Sequence, residues 1–476
     1  MNRRSLFLIV ASSLLIATGT ACGGAPHRVA DQRANRFSAL QTQIDTLCNA
    51  AIERDHVVGM EVAILDGPHQ WTRGYGLTRV GGSVPNERTI FEIGSITKTF
   101  TSLLLADMVT RGEVSLATPV QELLPSDWHV PTFEGTAITL EDIATHSSGL
   151  PSDWPGFTGE NAHDPFHNFD LTMLRDGLNA AHVIVRPGSN YEYNNFATAV
   201  LGFALAHRLG MTYEAALQAR VLAPLHLTEM WLNVPASEAS RAVLGHYEDG
   251  TESPMWSTSA IAPAGNLHAT APELLRYAQA HLDPESALRD AMLLATAPRR
   301  PTQEDVHASI GLGWHIIQNG RTIFHNGQGS MRAFLGIDRT HGYIVVVLSN
   351  TRGGVVDALG YNLLAVLRGE PTASPPAPAI ALTAEQMEAL VGRYALSSSF
   401  ALDVRVVNGV LETQATGQEA IPLDAISPTV LRVHGVAATL TFELGEGGRA
   451  TRVTLNQNGR DMPAERVDAA PQPAAP

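Results

Sequence analysis

The chain has 476 residues, of which 44% are hydrophobic, and its formal net charge is −15. This length exceeds that of one typical domain, so two or three domains with a large hydrophobic core are expected. The acidic charge argues against nucleic acid as a partner, because binding to phosphate relies on clustered Lys and Arg.

The first 22 residues have the pattern of a signal peptide. Two arginines precede a short apolar run over residues 6–17, and small residues lead to Cys22. The run is shorter than the roughly 20 residues that span a membrane, so we expect export to the periplasm or cell envelope, or secretion. Cys22 resembles the lipidated cysteine of bacterial lipoproteins, which would anchor the protein to a membrane, although Gly19 stands where that pattern prefers Leu. If Cys22 is not acylated, it could form a disulfide with Cys48.

The next segments predict an antiparallel sheet backed by helices. Residues 23–36 are polar and are interpreted as a tether, and the apolar period over 37–52 predicts an amphipathic helix. Alternation over 60–66 and 70–76 predicts two strands that are joined by a Gly-Pro turn.

A further helix is predicted over 95–111, and it begins with Ser95-Ile96-Thr97-Lys98. Lys98 is the only lysine among 32 basic residues. Arginine keeps its proton, whereas a buried lysine can lose it, so a lysine that arginine does not replace is predicted to act as a base. Positions i and i+3 share a helix face, which brings the Lys98 amine to the Ser95 hydroxyl as an activator to a nucleophile. The alternative is a solvated lysine near a serine by chance.

The remaining pattern predicts the rest of the catalytic body and a separate C-terminal domain. Helices are expected over 138–145, 196–209 and 355–368, a loop over 152–170, and strands over 311–317, 322–327, 331–338 and 343–350. A proline-rich linker and short alternating runs follow. The predicted divisions are 1–22 (signal peptide), 23–36 (tether), 37–368 (hydrolase domain), 369–383 (linker) and 384–468 (small all-β domain).

Three stretches occur in an order that resembles a known superfamily. They are Ser95-Ile96-Thr97-Lys98, Tyr193-Asn194-Asn195 and His325-Asn326-Gly327, and they resemble the motifs of serine β-lactamases and penicillin-binding proteins. The middle motif is similar to the Tyr-x-Asn of class C β-lactamases and related esterases and peptidases. Over residues 40–368 the resemblance implies an α/β (α+β) fold, with an antiparallel β-sheet flanked by helices plus an all-helical subdomain. The C-terminal domain resembles a lipocalin-like β-barrel.

The resemblance also implies roles for the first two motifs. Ser95 would be the nucleophile, Lys98 its proton acceptor or electrostatic activator, and Tyr193 a second acid/base group. Asn195 would hold the amide of the substrate and the Lys98 amine, whereas on its own it could simply cap the following helix.

In the third motif, His325 stands where many members have a lysine. Gly327 would let the substrate approach the backbone, and the Gln328 N–H would complete an oxyanion hole with that of Ser95. Loss of the lysine charge, which would pair with a substrate carboxylate, favours esters or D-amino-acid peptides over β-lactams. The glycine-rich stretch that follows is one residue shorter than usual, which raises the question of whether this strand edge keeps its geometry. His146 is interpreted as structural.

These observations predict an exported serine hydrolase that acts through an acyl-enzyme. Its substrate would be a small molecule or derived from peptidoglycan, with an ester, a D-amino-acid peptide or amide, or a β-lactam as the reacting group. One alternative is a penicillin-binding or cell-wall-binding protein that is acylated with little turnover, and another is a scaffold with a dead site. The cysteines do not cluster, and neither a metal nor a cofactor is predicted.

Overall fold

The structure is a computed structural model, and it divides into two compact units with the boundary between Gln43 and Ile44. None of the described helices is long and apolar enough to cross a membrane. The described residues are 25–152, 164, 166–183, 185–257, 259–302, 308–372, 380–396, 400–407, 409–416, 420–433, 438–457 and 460–467.

The described helices occur throughout the chain up to residue 390. They are α1 (Ala25–Arg54), α2 (Thr97–Thr110), α3 (Leu140–Ala144), α4 (Leu171–Ala180), α5 (Asn195–Leu209), α6 (Tyr213–Leu217), α7 (Ala262–Gly265), α8 (Ala271–Leu282), α9 (Arg289–Ala295), α10 (Val355–Arg368) and α11 (Ala384–Leu390).

The strands form one large sheet, two small sheets and a barrel. Those before residue 350 are β1 (Gly59–Asp66), β2 (His69–Gly76), β3 (Phe91–Glu92), β4 (Met230–Trp231), β5 (Gly245–His246), β6 (Glu252–Ser253), β7 (His268–Ala269), β8 (Arg300–Pro301), β9 (Ser309–Ile310), β10 (His315–Ile317), β11 (Thr322–Gln328), β12 (Arg332–Asp338) and β13 (Tyr343–Ser349). Those after it are β14 (Gly392–Ala395), β15 (Ala401–Val407), β16 (Val410–Ala415), β17 (Ala420–Ala425), β18 (Val430–Val433), β19 (Ala438–Leu444), β20 (Ala450–Gln457) and β21 (Arg460–Val467).

The large sheet has eight antiparallel strands in the order β2-β1-β13-β12-β11-β10-β9-β8. Between β3 and β4, the described residues form helices α2 to α6 and no strand. The predicted antiparallel sheet flanked by helices, with a helical part, is therefore confirmed. The register between β11 and β12 is unbroken from Thr322, opposite Asp338, to Gln328, opposite Arg332. The short turn after Gln328 thus leaves the strand edge regular.

Helix α2 passes through the hydrophobic core of this body. Twelve of its 14 residues are buried, so its apolar side chains pack on all sides rather than along one stripe. A polar side chain on such a helix is taken out of water with the rest, which explains how Lys98 comes to be buried.

The C-terminal region is a closed antiparallel barrel of β14 to β21. Its interior is a separate hydrophobic cluster that includes Tyr394, Leu431 and Leu440. The Tyr394 hydroxyl donates to the Leu390 carbonyl at 2.7 Å and fixes α11 to the first strand. The predicted barrel-like domain is present, but its first residues are helical, because the Thr383 side chain and Gln386 form a capping box.

Other segments differ from the sequence predictions. The residues interpreted as a tether are helical from Ala25, since the stretch has no helix breaker after Pro26 and proline is tolerated in the first turn. Of the strand predicted over 311–317, only the last three residues pair, because Gly313 adopts a φ of +66°. Cys48 is a buried free thiol. Cys22 and most of the loop predicted over 152–170 lie outside the described residues.

Candidate active site

Ser95 and Lys98 meet at the start of α2, as their spacing predicts. Ser95 lies in a 3-10 turn, Gly94–Ile96, and α2 begins two residues later rather than at Ser95 itself. The Lys98 Nζ donates hydrogen bonds to the Ser95 Oγ at 2.9 Å and to the Ala264 carbonyl at 2.6 Å. The amine is therefore aimed at the serine from two fixed points.

The surroundings of Lys98 favour its neutral form. Its side chain is 1% exposed, and within the described part of the chain no carboxylate forms an ion pair with it. Burial lowers the pKa of Lys98 well below its usual value of 10.5, because a charged amine loses hydration without gaining a counter-charge. A neutral amine 2.9 Å from a hydroxyl can accept its proton, and arginine could not replace it in that role.

Tyr193 lies against the same pair of residues. The Lys98 Nζ is 4.8 Å from the centre of the Tyr193 ring. Burial raises the pKa of Tyr193 above its usual value, and a hydrogen bond with Ser95 only partly opposes this. The hydroxyl therefore keeps its proton in the resting site, so it is ready to donate a proton and is not ready to accept one.

The two asparagines that follow Tyr193 have different surroundings. Asn194 is the cap of α5: its Oδ1 accepts the Ala197 N–H at 2.8 Å, and its Nδ2 donates to the Leu150 carbonyl at 2.8 Å. Asn195 is the first residue of the helix and does not cap it. Among the described residues, the Asn195 side chain forms no hydrogen bond. The predicted contact of Asn195 with the Lys98 amine is thus missing, and the Ala264 carbonyl takes that place.

The third motif lies on β11, at an approach between two backbones. A Cβ on Gly327 would clash with the Ile93 carbonyl oxygen, so the neighbour that requires glycine here is the chain just before Ser95 rather than a substrate. A Cβ on Gly94 would lie 2.7 Å from the Gln328 nitrogen. The backbone that leads to Ser95 and the end of β11 are therefore adjacent, as two oxyanion donors must be.

His325 lies on β11 with its ring inside the body. It is 1% exposed, its Nδ1 donates to the Asn326 carbonyl at 2.6 Å, and its ring centre is 6.3 Å from that of Tyr193. With the proton on Nδ1, the Nε2 is an acceptor, and this atom has no partner among the described residues.

Two further histidines, which the sequence analysis did not assign to the site, lie near His325. The rings of His146, His315 and His325 form one side of the site, which we call the histidine wall. His146 accepts the Asn194 N–H at its Nδ1, and its ring centre is 4.5 Å from that of Tyr193. The His315 ring centre is 5.2 Å from that of His325. Burial lowers the pKa of His315 to about 4 and that of His146 and His325 well below its usual value. All three rings are neutral near pH 7.

The segment around α7 holds the carbonyl that binds Lys98. The Thr101 Oγ1 donates to the Pro263 carbonyl at 2.6 Å, and the Leu267 N–H donates to the Thr97 Oγ1 at 3.1 Å. The sequence stretch Pro263-Ala264-Gly265-Asn266-Leu267 was the available signal for this segment, although its carbonyl carries no side-chain signature. Among the described residues, no group of three or more His, Cys, Asp or Glu side chains is arranged to hold a metal ion.

The chain is similar to proteins of a known family. The profile of the family described as Beta-lactamase matches residues 41–369. The chain is 32% identical over 226 residues to the D-alanyl-D-alanine-carboxypeptidase/endopeptidase AmpH of Escherichia coli K12, a match that covers 47% of the chain and 57% of that protein. The chain thus spans little more than half the length of this relative.

Two solved structures share the fold. The octameric penicillin-binding protein homologue from Pyrococcus abyssi has a TM-score of 0.62 at 21% identity, covering 90% of this chain and all of that one. A class C β-lactamase in complex with cefoxitin has a TM-score of 0.61 at 21% identity, covering 69% of this chain and 99% of that one. The predicted resemblance to class C β-lactamases and penicillin-binding proteins is confirmed.

Proposed function

Because this chain belongs to the Beta-lactamase family, we propose that it is a serine hydrolase in which Ser95 attacks an ester, amide or β-lactam carbonyl and forms an acyl-enzyme. The observation that carries the proposal is the Lys98 amine, buried without a carboxylate partner among the described residues and 2.9 Å from the Ser95 hydroxyl. The family match and the carboxypeptidase relative support a serine hydrolase.

Each group has one task in the proposed reaction. Lys98 accepts the Ser95 proton as Oγ attacks, and the Tyr193 hydroxyl supplies a proton to the leaving group. The protonated Lys98 then returns a proton to Tyr193, so that both groups are neutral again in the acyl-enzyme. The N–H groups of Ser95 and Gln328 stabilise the negative charge on the carbonyl oxygen. Asn195, the first residue of α5, has no side-chain hydrogen bond among the described residues and would bind the amide of a substrate.

The charge of the site favours some substrates over others. The histidine wall is neutral, and the nearby Arg332 is already paired with Asp357 at 3.1 Å and bonded to the Gln328 side chain. A substrate carboxylate that faces His325 would therefore meet a neutral ring, beside an arginine whose charge Asp357 already balances. This supports neutral esters and D-aminoacyl amides as substrates, in preference to β-lactams that carry a carboxylate.

A second candidate is a binding protein that is acylated but turns over slowly. Tyr193 keeps its proton, which leaves Lys98 and the neutral histidines as the described bases able to activate water for deacylation. If none of these bases reaches a water molecule in the acyl-enzyme, release would be slow.

One panel separates the candidates. The full chain and its Ser95→Ala variant are tested with p-nitrophenyl esters, D-aminoacyl p-nitroanilides and a chromogenic cephalosporin, and with a fluorescent penicillin and a fluorophosphonate as labels. Ser95-dependent hydrolysis is expected for the ester or the amide. A label that stays on Ser95 for hours without hydrolysis would favour the binding protein, and the absence of both would contradict both candidates.

We also propose that the protein is exported and acts on small or peptidoglycan-derived molecules in the cell envelope. The support is the pattern of residues 1–22, which lie outside the described residues, together with the carboxypeptidase named among the relatives. Lipidation of Cys22 and simple secretion predict different outcomes. Cell fractionation of the wild type and Cys22→Ser after growth with a radioactive fatty acid tells them apart, because only a lipoprotein carries label that the variant loses.

A further inference from the structure

The two N–H groups proposed to stabilise the oxyanion lie on separate segments. Ser95 follows β3, whereas Gln328 ends β11 and is followed by a turn into β12. Oxyanion donors act only if both point at one position to within a fraction of an ångström. The glycines Gly94 and Gly327 permit the two backbones to approach, but a missing side chain cannot hold a turn in place.

Glu92 occupies the position from which both segments can be held. It lies three residues before Ser95 and is 2% exposed. Its Oε2 accepts a hydrogen bond from the Ser330 hydroxyl at 2.6 Å, and its backbone N–H donates to the Met331 Sδ at 3.4 Å. A Cβ on Gly329 would clash with the Glu92 Oε1. The carboxyl group therefore packs directly beneath the turn that follows Gln328.

The charged groups around Glu92 do not hold it as an ion pair. The pKa of Glu92 is raised to about 7, mainly by burial and slightly by the charge of Asp164, while hydrogen bonds from Ser330 and the charge of Arg352 partly oppose this rise. Its partner across the strand pair, His268, is neutral because burial lowers the pKa of that ring to about 4. The Ser330 hydroxyl is thus the one side chain among the described residues that donates a hydrogen bond to the carboxyl, and a neutral amide oxygen could accept the same bond.

We propose that Glu92 is a positioning residue that holds the turn 329–331, through Ser330, so that the Gln328 N–H stays aligned with that of Ser95. This inference rests on the proposed function, since it assigns Glu92 a task in the same acylation. Glu92 touches neither the serine nor the substrate and acts through the turn.

The test measures kcat and KM of the full chain with p-nitrophenyl acetate. Glu92→Leu removes the acceptor at similar volume, Glu92→Gln keeps it, and Ser330→Ala removes the donor. We expect Glu92→Leu to lower kcat about 10–100-fold, while KM changes by less than about 3-fold. This fall in kcat is no larger than the fall that follows removal of one oxyanion donor. Glu92→Gln should restore kcat to within about 5-fold of wild type. The double variant Glu92→Leu/Ser330→Ala should be no slower than the slower single variant, because contacting residues are not additive.

One control variant makes the outcomes separable. Glu61→Leu removes another wholly buried carboxyl group, which lies three strands away from Gly327 in the same row of the sheet. It should leave kcat within about 3-fold of wild type, because distant sites act independently.

Additive losses of kcat in the double variant, or a Glu92→Gln variant as slow as Glu92→Leu, would overturn the inference and leave the proposed function standing. If Glu92→Leu does not fold, we expect Ser330→Ala to have a lowered kcat while Glu92→Gln keeps its activity. A Ser330→Ala variant as active as wild type, together with a slow Glu92→Gln variant, would overturn the inference. A wild type without Ser95-dependent turnover or labelling would overturn both proposals.

Discussion

The Lys98 Nζ donates a hydrogen bond to the Ala264 carbonyl oxygen at 2.6 Å, across 166 residues of sequence. A carbonyl orients the amine without supplying a negative charge that would keep it protonated. Burial can therefore lower the lysine pKa unopposed, and the same contact that fixes the amine at Ser95 leaves it able to act as a base.

Replacement of Lys98 by arginine tests whether the amine accepts a proton. We expect Lys98→Arg to slow acylation at least about 100-fold, the scale of a missing acid/base group, although the positive charge is kept. Lys98→Met should be slow as well, since it also lacks the base. The measurement is the second-order acylation rate with one activated ester, with melting temperatures to exclude unfolding. An arginine variant within a few-fold of wild type, with the methionine variant much slower, would mean that Lys98 supplies only charge.

The pH dependence of the acylation rate should follow the proton on Lys98. The neutral amine is the active form, so kcat/KM rises as pH increases through its pKa and then levels off. Since burial lowers the pKa of Lys98 well below 10.5, the plateau should begin below about pH 10, the range of an unperturbed lysine. The measurement is log kcat/KM against pH with a neutral ester, corrected for its spontaneous hydrolysis. A rate that still rises tenfold per pH unit at pH 10 would contradict the burial argument.

Asn194 and Asn195 should separate stability from activity. Asn194→Ala removes the cap of α5 and the buried bonds to the 150–151 carbonyls, so it should lower the free energy of unfolding by about 2–4 kcal/mol, a cap plus a buried hydrogen bond. Asn195→Ala should change it by less than about 0.5 kcal/mol but lower kcat/KM for an amide substrate. Urea unfolding and kinetics on both variants decide this. Equal destabilisation by the two would show that Asn195 also has a structural role.

Glu61 should make the folded protein less stable as pH rises. Its side chain is fully buried and neither carboxylate oxygen has a partner among the described residues. Burial, with a smaller effect of Glu87, raises its pKa from 4.5 to about 8 in the folded state. The folded chain thus holds this proton more tightly, so the stabilisation is complete below pH 4.5 and is lost as pH rises through 8.

The test of this linkage is the variant Glu61→Gln, which is neutral at every pH. The free energy of unfolding of the variant minus that of wild type should be larger at pH 9 than at pH 5. The expected increase is about 3–5 kcal/mol, since one pKa unit corresponds to 1.36 kcal/mol. Denaturant unfolding at both pH values measures it. Glu122→Gln, at an exposed position, is the matched control and should show no such difference; a Glu61→Gln advantage independent of pH would contradict the raised pKa.

The sequence by itself determined what depends on neighbours along the chain. Ser95 and Lys98 are three residues apart, and helical geometry alone brings them together. Helix α10 has the bounds that its apolar period predicts, and β11 to β13 follow from alternation and from the turns between them. The lone lysine also indicated its chemistry, because only one of the two basic side chains can lose a proton when buried.

Only the tertiary structure decided which groups surround that pair. The Ala264 carbonyl, the rings of His146 and His315, and the bond from Ser330 to Glu92 across 238 residues all come from segments that are distant in sequence. A carbonyl has no side-chain signature, and a histidine on a strand looks the same whether it packs in the core or against a tyrosine of the site. Burial and the resulting pKa changes depend on which segments exclude water together, and the packing of the whole body sets that.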